Sequence, residues 1–126
     1  MNAVVVDTSV WVAHFRQRSA ALVALLLNDS ALMHPMVLGE LACGTPPQRS
    51  RTLSDLALLP HALQASLRET MAFVERERLY GLGCGLVDMS LLASTLLTPG
   101  ARLWTLDRRL ADLAQRFDVG HQPPQV

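Results

Sequence analysis

Ala3-Val4-Val5-Val6-Asp7-Thr8-Ser9 sets a run of four apolar residues directly before an acid and two hydroxyls. A short, uninterrupted β-branched run of this kind reads as a strand buried on both faces, as in a parallel sheet, and it stops where the side chains turn polar. Asp7 then stands at the strand's carboxyl end, the edge at which open α/β sheets bind ligands. Beyond it, Val10, Trp11, Ala13, His14 and Phe15 follow with near-helical apolar spacing, and Ser19 opens a second apolar stretch, Ala20 to Leu27. Two helices are expected there.

Further along, Ala31 to Met33 predicts a second strand closed by His34 and Pro35, with Pro35 suited to the first turn of a helix. That helix runs through Met36, Val37, Leu38, Glu40, Leu41, Ala42 and Cys43 until Gly44, Pro46 and Pro47 end it. Arg49 to Leu59 and Ser66 to Leu79 predict two more helices around Pro60; the run Glu75, Arg76, Glu77, Arg78 reads as a solvated helical face. Gly81, Leu82, Gly83, Cys84 and Gly85 precede a helix over Leu86 to Leu97 that carries Asp88 in its first turn. The glycines lack the spacing of a dinucleotide fingerprint, so turn geometry and close packing account for them better than phosphate binding. Arg102 to Thr105 is a further strand, Asp107 fits the N-cap of a helix containing Leu110, Leu113 and Ala114, and Phe117 to Val119 offers a last edge strand before Gln122 to Pro124. Strands alternating with helices predict an α/β domain with a parallel sheet.

The 126 residues fit one domain, and 50% hydrophobic against 17% charged excludes a disordered chain. With aromatics at 5%, the core must be built mostly from Leu, Val, Ala and Met. Zero formal net charge argues against coating nucleic acid through bulk electrostatics, while local arginines can still grip a phosphate backbone. All 11 basic residues are Arg, so no mechanism requiring a lysine amine is open. Cys43 and Cys84 read as reduced, core-like thiols. The longest apolar run, Ala20 to Leu27, is far short of the roughly 20 residues of a membrane helix, and no signal-peptide pattern opens the chain. A soluble cytoplasmic protein is expected.

Asp7, Glu40, Asp88 and Asp107 occupy apolar or element-boundary contexts, where solvated acids are not expected. Taken singly, Asp107 can be a cap, Asp88 a first-turn acid favoured by the helix dipole, and Asp7 a turn residue. Glu40 has Met36, Val37, Cys43 and Gly44 as its helical neighbours. Together the four suggest one rim of the sheet and a shared divalent cation, because carboxylates about 5 Å apart repel by roughly 3 kcal/mol at an effective dielectric of about 20. Oxygen-only ligands favour Mg²⁺, or Mn²⁺ in its place, over Zn²⁺. His14, His34, His61 and His121 are scattered and offer no zinc pattern.

Four stretches then resemble the PIN-domain ribonucleases, and specifically the VapC toxins of type II toxin–antitoxin pairs: VVVDTSVWV (Val4 to Val12), PMVLGELACG (Pro35 to Gly44), LYGLGCGLVDMSLLAS (Leu79 to Ser94) and LWTLDRRLADLA (Leu103 to Ala114). They lie in the family's order. The resemblance implies a single PIN-like domain over residues 1–126, a three-layer α/β/α sandwich around four to five short parallel strands. By position it also assigns Asp7, Glu40, Asp88 and Asp107 as the catalytic, metal-holding acids, with Thr8 or Ser9 and Thr105 as supporting hydroxyls. Some PIN domains carry a further Asp or Asn two positions after the fourth acid, where this chain has Arg109. The number of metal ions, one or two, stays open.

The implied activity is Mg²⁺-dependent hydrolysis of an RNA phosphodiester to 5′-phosphate and 3′-hydroxyl ends. Asp7, Asp88 and Asp107 are the candidate metal ligands, and Glu40 holds a metal-bound water or acts as general base. Resemblance also implies a homodimer, a VapB-like antitoxin lying over the active site, and a transfer or ribosomal RNA loop as substrate. Arg16, Arg18, Arg108 and Arg109 are candidate phosphate contacts, with plain surface solubility as the competing role. Aspartyl-phosphate chemistry is disfavoured, since it needs a lysine and, in its dehalogenase form, an acid where Ser9 stands. A catalytically inactive PIN-like module binding RNA or protein is the remaining alternative.

Overall fold

Val4, Val5 and Val6 are completely buried, because β1 (Ala3–Val6) is the middle strand of a parallel sheet ordered β2-β1-β3. The computed structural model describes residues 3–124. On one side, β2 (Ala31–Leu32) pairs Val4 with Ala31 and Val5 with Leu32; on the other, β3 (Ala101–Trp104) pairs along the whole of β1, from Ala3 with Ala101 to Val6 with Trp104. With neighbours on both edges and helices over it, β1 needs apolar side chains on both faces, which explains the unbroken valine run.

Between β1 and β2 the chain forms α1 (Thr8–Arg16) and α2 (Ala20–Leu27). Between β2 and β3 come α3 (Pro35–Ala42), α4 (Arg49–Ala57), α5 (Leu67–Glu77) and α6 (Leu86–Leu97), and α7 (Arg108–Arg116) follows β3. The chain moves outward from β1 to β2, then returns past β1 to reach β3. Right-handed crossovers running in opposite directions put their helices on opposite faces, giving three layers and a switch point at the carboxyl end of β1. That end is where Asp7 lies.

The sheet has three strands among the described residues, fewer than the four to five expected. At each outer edge the missing strand is reduced to one parallel bridge, Met33 with His61 and Leu103 with Gly120. Pro60 supplies only its carbonyl to Met33 N–H, at 2.7 Å, since proline has no N–H to extend a ladder. The edge strand expected at Phe117 to Val119 is absent for a similar local reason. Phe117 is the C-cap of α7, and Asp118 takes a left-handed φ of 60° that breaks extended geometry. Two hydrogen bonds, Leu103 N–H to Val119 O and His121 N–H to Leu103 O, are all that remain.

Helix ends follow the sequence closely. Ser19 caps α2, Ser66 and Glu69 form a reciprocal capping box on α5, and Pro35 occupies the first turn of α3. The charged run Glu75 to Arg78 lies along the outer surface, with Arg76 and Glu77 paired at 3.2 Å. Both cysteines are free, but Cys43 is exposed and Cys84 half-buried, so neither is a core thiol. Among the described residues no helix is long and apolar enough to cross a membrane.

Candidate functional site

Where β1 ends, Asp7 becomes the N-cap of α1, and its carboxyl is 5% exposed. One oxygen, Oδ2, accepts hydrogen bonds from Ser9 Oγ at 2.7 Å and from Thr105 Oγ1 at 2.8 Å, with a longer one from Ser9 N–H at 3.4 Å. Thr105 immediately follows β3, and parallel pairing brings the two strand ends together; Asp7 N–H donates to Trp104 O at 2.9 Å. Each hydroxyl also accepts a loop amide: Ser9 Oγ takes Leu106 N–H, and Thr105 Oγ1 takes Asp107 N–H, both at 3.0 Å. The accepted amides leave each hydroxyl proton for Asp7, so this geometry fixes the carboxyl in place. Oδ1 accepts no hydrogen bond from the described residues.

Asp107 itself caps α7, its Oδ1 accepting from Leu110 N–H at 3.0 Å, so its cap reading and its place at the site are compatible. Glu40, on α3, is tied to α1 by a 2.5 Å hydrogen bond from Thr8 Oγ1 to Oε1. Asp88 lies in the first turn of α6, just after the N-cap Gly85. Its carboxyl is pushed above the usual range, first by burial and next by the negative charge of Asp7, with a Gly85 backbone hydrogen bond acting the other way and Asp107 and Glu40 adding further upward pushes. All three other acids therefore act on Asp88 through space.

The sequence argument treated all four acids as out of place on a surface, and that premise needs correction. Asp7 is buried and Asp88 half-buried, whereas Glu40 and Asp107 are exposed. Apolar neighbours at one helical turn did not bury Glu40, because α3 turns that side outward toward Thr8. Among the described residues no three His, Cys, Asp or Glu side chains are already gathered as a preformed chelate. The donor set, four carboxylates with no salt-bridged arginine or lysine among them, suits a hard divalent cation.

Asp88 provides a stability test of this reading. A raised carboxyl binds its proton more tightly in the folded chain, so its contribution is favourable at low pH and is lost as pH rises from the ordinary value of 3.8 through the folded one. Above the folded value the metal-free protein carries that cost. Asp88→Asn should therefore melt higher than wild type in chelator at pH 7, by about 3 °C for a half-buried group in a chain of this size. Added Mg²⁺ should raise the wild-type melting point more than the variant's. A variant that melts below wild type in chelator would contradict the shared-field account.

Of the four candidate arginines, Arg16 lines a cleft of about 410 Å³ together with Thr8, Glu40, Val12, Phe15 and Leu41. Arg18 and Arg108 are exposed, and Arg109 lies against the glycine loop, its Nη1 donating to Gly83 O at 3.5 Å. Gly81 and Gly83 have φ of 75° and 87°, which confirms the turn reading of the loop. Sequence reasoning missed that Gly83 receives the side chain of Arg109. Glycine as a marker of close approach was the available signal, but nothing local named the partner.

A PIN domain profile matches residues 4–116. Ribonuclease VapC32 of Mycobacterium tuberculosis, from strains CDC 1551 / Oshkosh and ATCC 25618 / H37Rv, is 48% identical over 107 residues, covering 85% of this chain and 86% of the relative. The solved structure of VapBC-1 from nontypeable Haemophilus influenzae superposes with a TM-score of 0.69 over 98% of both chains at 15% identity, a likeness of fold. With four motifs in order, a parallel sheet that brings their acids to one edge, and close identity over most of its length, the chain belongs to the PIN domain family, in its VapC branch.

Proposed function

We propose that this protein is the toxin of a VapBC-type pair, an endoribonuclease that depends on Mg²⁺, with Mn²⁺ able to replace it. The observation that carries the reading is the shared field at the carboxyl end of β1, where Asp88 responds to Asp7, Asp107 and Glu40. Asp7, Asp88 and Asp107 would hold the ion, and Glu40 would orient the attacking water or take its proton. A bound divalent ion supplies a water of lowered pKa and neutralises charge building on the phosphorane. Ser9 and Thr105 fix Asp7 by donating to Oδ2, so Oδ1 would be the oxygen available to an ion. Thr8 fixes Glu40 in the same way, by donating to Oε1.

A VapB-like antitoxin is the proposed partner. The cleft beside Thr8 and Glu40, with its apolar Val12, Phe15, Leu41, Pro46 and Pro47, offers a segment of that partner a seat next to the acids. A homodimer acting in the cytoplasm on a transfer or ribosomal RNA loop completes the proposal. The test is cleavage of transfer RNA and structured ribosomal RNA fragments under Mg²⁺, Mn²⁺ and chelator, comparing wild type with Asp7→Asn. Cleavage by wild type alone, and only with metal, is expected. Intact RNA in every lane would remove the nuclease reading in favour of an inactive RNA- or protein-binding module.

A further inference from the structure

We infer that Arg109 is the phosphate clamp of this site, a guanidinium pre-positioned by Gly83 to bind the substrate phosphate next to the acids. The inference rests on the nuclease reading above and adds a specific cation to it. Arg109 sits two residues beyond Asp107, in the first turn of α7, and its side chain reaches across to the loop that leads into α6 and Asp88. It therefore spans two of the acid-bearing arms.

The reach requires a glycine. A Cβ on Gly83 would fall 2.5 Å from Arg109 Nη1 and 2.9 Å from both Cδ and Cζ, so the arginine fills space that any other residue would take. With Asp107 only two residues before it, Arg109 makes no salt bridge among the described residues; its one hydrogen bond, at 3.5 Å, is to a backbone carbonyl. A guanidinium has five donors, so this anchoring leaves most of its fork unpaired. Free donors between the loop that leads into Asp88 and the helix that Asp107 caps fit the equatorial oxygens of a phosphate better than they fit a structural tie. Arg16, Arg18 and Arg108 make no side-chain hydrogen bond among the described residues, so Arg109 alone of the four is anchored.

The test uses transfer RNA as probe. Arg109→Ala should lower kcat about 100-fold, and Arg109→Lys should recover only part, because an ammonium lacks the planar fork. Gly83→Ala should lower kcat at least about 10-fold by displacing the arginine. Gly81→Ala strains the same loop at φ 75° but meets nothing within 4 Å, and should stay within about 3-fold of wild type. In the Asp7→Asn background, where RNA stays intact, the salt dependence of binding should lose about one unit of slope on adding Arg109→Ala. Unchanged kcat and unchanged slope in Arg109→Ala, or a Gly83→Ala loss no greater than that of Gly81→Ala, would overturn the proposal. If wild type never cleaves, the nuclease reading fails separately and the slope alone decides for or against Arg109.

Discussion

Asp7→Asn should lower RNA cleavage by roughly 10³-fold or more while leaving the fold and RNA binding in place. Asparagine keeps the shape of the carboxyl, and its amide oxygen can still accept from Ser9 Oγ and Thr105 Oγ1, the two bonds that position the native group. The other branch then presents an NH₂, a donor, where a cation requires an acceptor. A negative charge is also lost from a residue that is 5% exposed, where solvent replaces little of it. Removing that charge relieves Asp88, whose carboxyl Asp7 pushes upward, so the variant should melt no lower than wild type without metal. Rates from single-turnover cleavage, with circular dichroism as the folding control, read both effects. A variant that cleaves within about 10-fold of wild type would remove Asp7 from the chemistry.

The largest stability effect is expected at Ser94, a buried hydroxyl six residues beyond Asp88 on α6. His34 is completely buried and caps α3: its Nδ1 accepts from Met36 N–H at 3.0 Å, which leaves the ring proton on Nε2. Nε2 then donates to Ser94 Oγ at 2.9 Å, and Ser94 Oγ also accepts from Ala65 N–H at 3.0 Å. Ser94→Ala orphans two buried donors at once, which costs about 2–4 kcal/mol and about 10 °C of melting temperature. Denaturant titration checks the figure, and a cost under about 0.5 kcal/mol would show that the network is not holding α3 to α6.

The same histidine sets a pH dependence. Burial, followed by the nearby His61, lowers its pKa from 6.5, and a proton on Nδ1 would face Met36 N–H. Below pH 6.5 the unfolded chain takes up this proton while the folded chain resists, so stability falls as pH drops from 6.5 toward the folded value. His14 and His121 are lowered as well, both chiefly by burial, and act in the same direction. The Asp88→Asn variant, which lacks the carboxyl that acts in the opposite direction, should therefore melt progressively lower between pH 7 and pH 5.

The elements legible in the sequence were those whose patterns answer to local physics. The valine run could only be a doubly buried strand, Asp107 had the sequence position of a cap, and Ser19 and Pro35 marked helix starts by their own backbone chemistry. The outer edges were not legible: the left-handed Asp118 leaves a single bridge where Phe117 to Val119 suggested a strand, and the bridge beside Pro60 had no strand pattern to announce it. The acids were found by type and spacing, yet exposure did not follow from their neighbours: Glu40 faces outward to Thr8 on a different helix. Pairings across distant elements, such as Arg109 on Gly83 or His34 with Ser94, depend on how helices pack and leave no local trace.

The most direct test of the central claim is an anomalous difference map from a crystal of the metal-free protein soaked in Mn²⁺. The account predicts a peak at the carboxyl end of β1 with oxygens of Asp7, Asp88 and Asp107 drawn in to about 2.1 Å and Glu40 beside it. A map with no peak there, or with manganese bound only at unrelated surface carboxylates, would contradict it.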